Sequence, residues 1–382
     1  MVDILIRDKL RLSVEAASGG KQTVVYTAKG QPSFMTIIPQ FDMSVYGASV
    51  GLTGAHRAFR AGWGGMHSEI MLGTYLGSIK QGELISQPYT DPRAAGSINI
   101  LQQIVAARAC GDGFHIMSRL EWDAANVYGL TQGGLGLGNQ QHGSDVKGNT
   151  GKLIPGSTDF TYTGSGGATW TNDGTPTGLH DMTGNVWEHL VGVRNCFGEL
   201  QVSVNSNMSH SWTDNLYSDA SIGSWAAIDG VTGELITPRW SGNILEGTYV
   251  PTTPRSIKLS GILGDTSDYT LGHPGWQPFM LNQYSLGGEN KISDAGVTTL
   301  REYGLYPIAG VTESNNTVLL TPTGTGWQGT RDMYIIMAGG TVTDGVAAGP
   351  NMHALAHQVG VVGDIYACRP CYQPNWFAES II

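Results

Sequence analysis

Charge is scarce in this chain of 382 residues: only 14% of positions are Asp, Glu, Lys or Arg, against roughly 25% in an ordinary soluble protein. What charge there is leans acidic, with 21 basic and 31 acidic side chains, a net charge of −10 and an isoelectric point near 5.4. No cluster of Lys and Arg exists that could track a phosphate backbone, so nucleic acid is not an expected partner. Long apolar runs are missing too. No stretch reaches the roughly 18 apolar residues of a membrane span, and the opening "MVDILIRDKLRLSVEAASGG" alternates charge with apolar residues, unlike a signal peptide. Cysteine is rare: Cys110, Cys196, Cys368 and Cys371 are too few and too scattered for a disulfide scaffold, which leaves buried free thiols.

What the chain does have is glycine, at 55 positions, and 10 tryptophans. Together they describe ordered loops pinned by aromatics. Residues 22 to 42 carry two β-rich runs around "AKGQ", a hairpin pattern, and "SEIMLGTYLGSI" is β-like but broken by glycines. Two segments read as helices. Ser97 precedes "INILQQIVAARAC", with Gly111 as the stop, and Ser118 with Glu121 makes an S-x-x-E capping box ahead of "WDAANVY", closed by Gly129. Beyond Gly129 helical patterning disappears. Residues 130 to 177 read as long loops, and short strands are expected at 199–204, 256–263, 333–340 and 364–370. The expectation is one α+β domain over residues 31–382, with two helices, short mostly antiparallel strands and residues 1–30 as an appendage.

The densest cluster of chemistry is "HDMTGNVWEH", residues 180 to 189. Asp181 and Glu188, with the backbone carbonyls of Gly184 and Val186 between them, form an all-oxygen set of the kind hard Ca²⁺ selects. Gly184 relieves the backbone where the loop must curl. The spacing alone also describes a capped turn in which both acids accept backbone hydrogen bonds, and that reading comes first.

The longer segment "GLHDMTGNVWEHL" (178–190) closely resembles the signature of the formylglycine-generating-enzyme, or sulfatase-modifying-factor, family. "HIMSRLEWDAA" (115–125) is similar to that family's helix start in degraded form, and "IYACRPCY" (365–372) stands where the family ends on an arginine, here Arg369. The resemblance covers about residues 34 to 372. It implies a C-type lectin fold, and it implies a structural calcium ion held by Asp181, Gly184, Val186 and Glu188, which reverses the order of the two readings.

The family's enzymes carry a reactive cysteine pair late in the chain, but the matching stretch "MAGGTVTDGVAAGP" (337–350) has none. Catalysis along that line is therefore not expected. "CRPC" (368–371) is followed by proline rather than by a helix, and a single pair cannot supply four zinc ligands. "HALAH" (353–357) spaces two histidines by one helical turn but lacks the glutamate of H-E-x-x-H. "GGLGLGN" follows a helix instead of a strand, "GNTGKL" has the wrong spacing for a P-loop, and no G-x-S-x-G elbow occurs.

The layout also resembles the variable proteins of diversity-generating retroelements in phages and archaeal viruses, a subset of this fold family. Their last strands present a diversified surface before the closing arginine motif, and "EAASGGKQTVVYTAKGQPSFMTIIPQF" with "GLTGAHRAF" is similar to tail-associated members. That resemblance implies a non-covalent binder of a protein or glycan on a cell surface, carried on a virion or cell surface, and it allows a homo-oligomer. The variable region would span about 338–366, with Thr343, Asp344, Val346, Asn351, His353, His357, Val361, Val362 and Asp364 projecting, although some of these positions belong to the core of an ordinary sheet edge. The rival readings are a metal-dependent oxidase of the same fold and a fixed sugar-binding lectin.

Overall fold

A computed structural model describes residues 2–61, 65–134, 136–204, 225–242, 250–259, 277–280, 286, 291–306, 308, 325–328 and 333–374. In the first half, helix α1 (Val2–Ser18) leads into β1 (Gln22–Tyr26), β2 (Pro32–Pro39), the single turn α2 (Ser44–Gly47), β3 (Glu69–Gly73), β4 (Gly77–Lys80) and β5 (Glu83–Ser86). Helix α3 (Ile100–Arg108), β6 (Phe114–Ile116) and α4 (Arg119–Thr131) follow. After a long looped stretch come β7 (Trp187–Cys196), β8 (Glu199–Ser203), β9 (Trp225–Ile228), β10 (Leu235–Ile236), β11 (Trp240–Ser241), β12 (Val250–Pro251) and β13 (Gln277–Met280). The last described part holds α5 (Asp294–Glu302), β14 (Thr325–Gln328), β15 (Met333–Ala338), β16 (His353–His357), β17 (Tyr366–Ala367) and β18 (Pro370–Tyr372).

The fold is α+β. One five-stranded sheet runs β1-β2-β3-β18-β6, and a larger sheet runs β10-β9-β8-β7-β15-β16-β14-β13, with β17 pairing beside β7. Most pairings are antiparallel; β14–β16 and β17–β7 are parallel. The strand nearest the C-terminal end, β18, is thus interior to a sheet begun by β1 and β2. The expected boundary at residue 30/31 falls in the turn of the β1–β2 hairpin, where Val24 opposes Phe34, so β1 belongs with the sheet.

Local chemistry explains the helices. The Ser118 hydroxyl accepts the Glu121 amide, and Glu121 reaches back to the Ser118 amide at 2.8 Å, which starts α4 at the expected box. In α3 the cap is Asn99, paired reciprocally with Gln102, whereas Ser97 sits outside and donates its hydroxyl to the Ala94 carbonyl. Helix α1, inside the expected appendage, was not expected, and neither was α5. Gly296, Thr298 and Thr299 dilute its apolar face, but Ser293 caps its first turn and Leu300 anchors it in the core. The 256–263 strand reduces to single bridges at Ser256 and Lys258, and its residues 260–263 lie outside the described residues.

All ten residues of β7 are buried. It runs between β8 and β15, and its Leu190 and Val193 join Trp122, Leu200, Ile336 and Leu355 in the largest apolar cluster. A second cluster packs Ile100, Ile104 and Ala107 of α3 on Leu84, Ile116 and Cys368. No helix among the described residues is long and apolar enough to cross a membrane.

Candidate functional site

The segment 180–189 begins as a tight loop and runs into β7. Asp181, Gly184 and Asn185 all have positive φ, at 60°, 67° and 61°. At Gly184 a Cβ would stand 2.1 Å from the Asn139 carbonyl oxygen, so only glycine permits the loop to approach the 137–145 segment this closely. The Gly184 amide donates to Gly339 and the Asn185 amide to Asn139, which ties the loop both to the chain before it and to the end of β15.

At its centre lies an arginine. Arg369, fully buried just ahead of β18, donates Nε and Nη2 to the two oxygens of Glu188 at 3.1 and 2.7 Å. Its Nη1 also reaches the Gly73 carbonyl, and Nη2 the His180 carbonyl, both at 2.8 Å. One guanidinium therefore joins β3, the 180–186 loop and β7. Burial pushes the Glu188 carboxyl upward and the bidentate guanidinium pulls it back. The sequence pointed to both residues but not to their pairing, because 181 positions separate them.

Asp181 is less well served. One oxygen accepts the Gly164 amide at 2.7 Å, while the other is buried with no hydrogen-bond partner. Burial pushes this carboxyl up to about 6, against the Gly164 bond and the charge of Arg369. His180 beside it is pushed down to about 4 by burial and by Arg369, and it stacks on Tyr75 with ring centroids 5.1 Å apart. An orphaned buried carboxylate oxygen is what a cation would satisfy, so Asp181 fits the implied calcium. Glu188 fits it less well: lone pairs remain, but its charge is already neutralised by Arg369. The Gly184 carbonyl likewise already accepts the Val186 amide at 2.8 Å.

The nine expected display positions divide by burial. Thr343, Val346, Val362 and Asp364 are exposed; Asp344, Asn351, His357 and Val361 are half-buried. His353 is a correction. It lies wholly inside, because "HALAH" is strand β16 rather than a helical turn, and burial pushes its imidazole down to about 3. Asp344 is turned back to accept the Thr341 amide at 2.7 Å. His357 meets the Tyr366 hydroxyl at 2.7 Å, and Val361 packs on a cluster of Trp187, Met337, Met352, Ala354 and Tyr366. Ile365, which sequence reasoning passed over, is exposed next to Asp364.

The backbone beneath these side chains is fastened to the scaffold. Trp122 and Asn126 of α4 both donate to the Pro350 carbonyl, at 2.7 and 3.0 Å. Gln140 donates to the carbonyls of Gly345 and Ala348. The Gly363 amide donates to Gly96, and the Trp187 amide to Ile365. The main chain of these loops is thereby anchored by bonds that do not involve the exposed side chains.

All four cysteines are buried free thiols. Burial pushes Cys368 and Cys371 well above the usual thiol range. No protein-family model and no curated protein matches this chain.

Proposed function

We propose that this chain is a non-covalent binder on a C-type lectin scaffold of the formylglycine-generating-enzyme-like type, diversified by a retroelement and carried on a virion or cell surface. The observation that carries the reading is the contrast within residues 341–365. Thr343, Val346, Val362 and Asp364 face solvent, yet the 345–350 backbone is held by buried donors on α4 and the 137–145 loop, and the 363–365 backbone by bonds to Gly96 and Trp187. A surface of this kind tolerates replacement because its side chains do not carry the core. Exposed valines beside one acid and one hydroxyl suit a protein or glycan target on a cell surface better than a polyanion. In this reading the chain is not an enzyme.

Calcium belongs to the same proposal. Asp181 would hold the ion with the Gly184 and Val186 carbonyls, sharing Glu188 with Arg369. The ion would supply the partner that the second Asp181 oxygen lacks.

The deciding experiment is sequencing the 3′ end of this gene across a natural population. Substitutions concentrated in the codons of Thr343, Val346, Val362 and Asp364, and matching adenines of a nearby template repeat, support the reading. An invariant 3′ end overturns it.

A further inference from the structure

Apart from the Arg369 clasp, the five-stranded sheet carries a second buried polar group. Cys371 of β18 is the register partner of His115 on β6 and of Leu72 on β3. Thiol and imidazole therefore stand side by side on one face of the sheet. Glu121, from the first turn of α4, comes down onto them. One donor atom each from His115, Glu121 and Cys371 lies within 4.8 Å of the others, and all three residues are buried.

The hydrogen bonds fix the tautomer. His115 Nδ1 lies 3.0 Å from the Gly113 carbonyl, which can only accept, so Nδ1 carries a hydrogen. Nε2 then points at Glu121 Oε1, 2.8 Å away, and a carboxylate also only accepts. Something positive must lie between the two atoms: a second proton or a metal ion. A backbone carbonyl holding Nδ1–H is also how metal-binding histidines are commonly oriented. The neighbouring sulfur favours the ion, because a proton bridge has no use for it.

We propose that His115, Glu121 and Cys371 bind a thiophilic divalent ion, zinc foremost. A tetrahedral zinc holds nitrogen and oxygen ligands about 3.3 Å apart, so the His115–Glu121 pair need open by only about half an ångström. Binding displaces the proton shared by His115 and Glu121 and the proton of the Cys371 thiol, and both leave to solvent. Because protons are released on binding, uptake strengthens as pH rises. The ion would staple β6, β18 and the start of α4 together.

The test uses the full chain, purified under reducing conditions, stripped of metal with chelator in mild denaturant and refolded with one equivalent of Co²⁺. The expected result is a tetrahedral cobalt spectrum with a thiolate-to-cobalt charge-transfer band, bleached by one equivalent of Zn²⁺. Cys371→Ser should lose that band, while Cys368→Ser keeps it. A folded wild-type chain that shows no cobalt spectrum overturns the proposal without any variant, and leaves the trio a proton-bridged pair. A band that survives in Cys371→Ser overturns it as well. The Asp181 site offers only oxygen, so calcium there gives no thiolate band and cannot imitate the result.

Discussion

Arg369 and Glu188 neutralise each other in a place water does not reach, and removing either leaves the other as an uncompensated buried charge. Glu188→Gln or Arg369→Leu should each cost about 3–5 kcal/mol of stability in urea unfolding. Replacing both together should cost less than the sum of the two, because the second substitution removes the orphan left by the first. Gly184→Ala should also destabilise, since it forces both a positive φ and a clash with the Asn139 carbonyl. At the display loops the expectation reverses. Thr343→Ala and Val362→Ala should leave stability within about 0.5 kcal/mol while target affinity, read by surface plasmon resonance, changes.

At the scale of elements, histidines buried in the sheet make the fold acid-sensitive. Burial pushes His189 of β7 and His353 of β16 down to about 3, and His357 down to about 4. Each is neutral when folded, while the unfolded chain takes up protons from about pH 6.5 downward. Their contribution is therefore complete above pH 6.5 and is lost progressively as pH falls toward 3–4. Asp181 works in the opposite sense, since a carboxyl raised to about 6 becomes easier to bury as it protonates. Among the groups shifted furthest, four lowered histidines, His180 included, oppose the one raised carboxyl, so thermal midpoints should fall between pH 7 and pH 4.5, and His189→Gln should flatten that slope.

How far the elements were legible in the sequence depends on where their signals lie. The Ser118–Glu121 box announced α4 because a capping box is local, and the β1–β2 hairpin showed for the same reason. Strand β7 stayed hidden inside its own motif. Buried on every side, it lacks the alternation that marks a half-exposed strand, and Trp187, Glu188 and His189 drew attention as chemistry instead. Helix α5 was lost in threonine and glycine. Of the candidate site, the positions Asp181, Glu188 and Arg369 could be read from the motif, but the ion pair could not, since only the fold brings residues 188 and 369 together. His353 was misplaced because four-residue spacing suits one face of a helix and one face of a strand equally well.

For the molecule as a whole, the calcium reading predicts a measurable linkage. Millimolar Ca²⁺ should raise the thermal midpoint and chelation should lower it, and Asp181→Asn should weaken that response. A midpoint indifferent to both would mean that Arg369 alone completes the loop.

The position of β18 between β3 and β6 has a bearing on synthesis. The first sheet cannot close around its interior gap until the last described strand has left the ribosome, and β17 must likewise emerge before it can take its place beside β7. Any gene copy with a stop codon or frameshift between codons 339 and 365 would yield a chain lacking β17 and β18, and β16 as well when the break falls before codon 353, and the unfilled sheet positions would be exposed to proteolysis. If the stretch is diversified as proposed, error-prone copying of it would be proofread by folding itself: damaged copies would be cleared as proteins, and only in-frame variants would survive to be displayed.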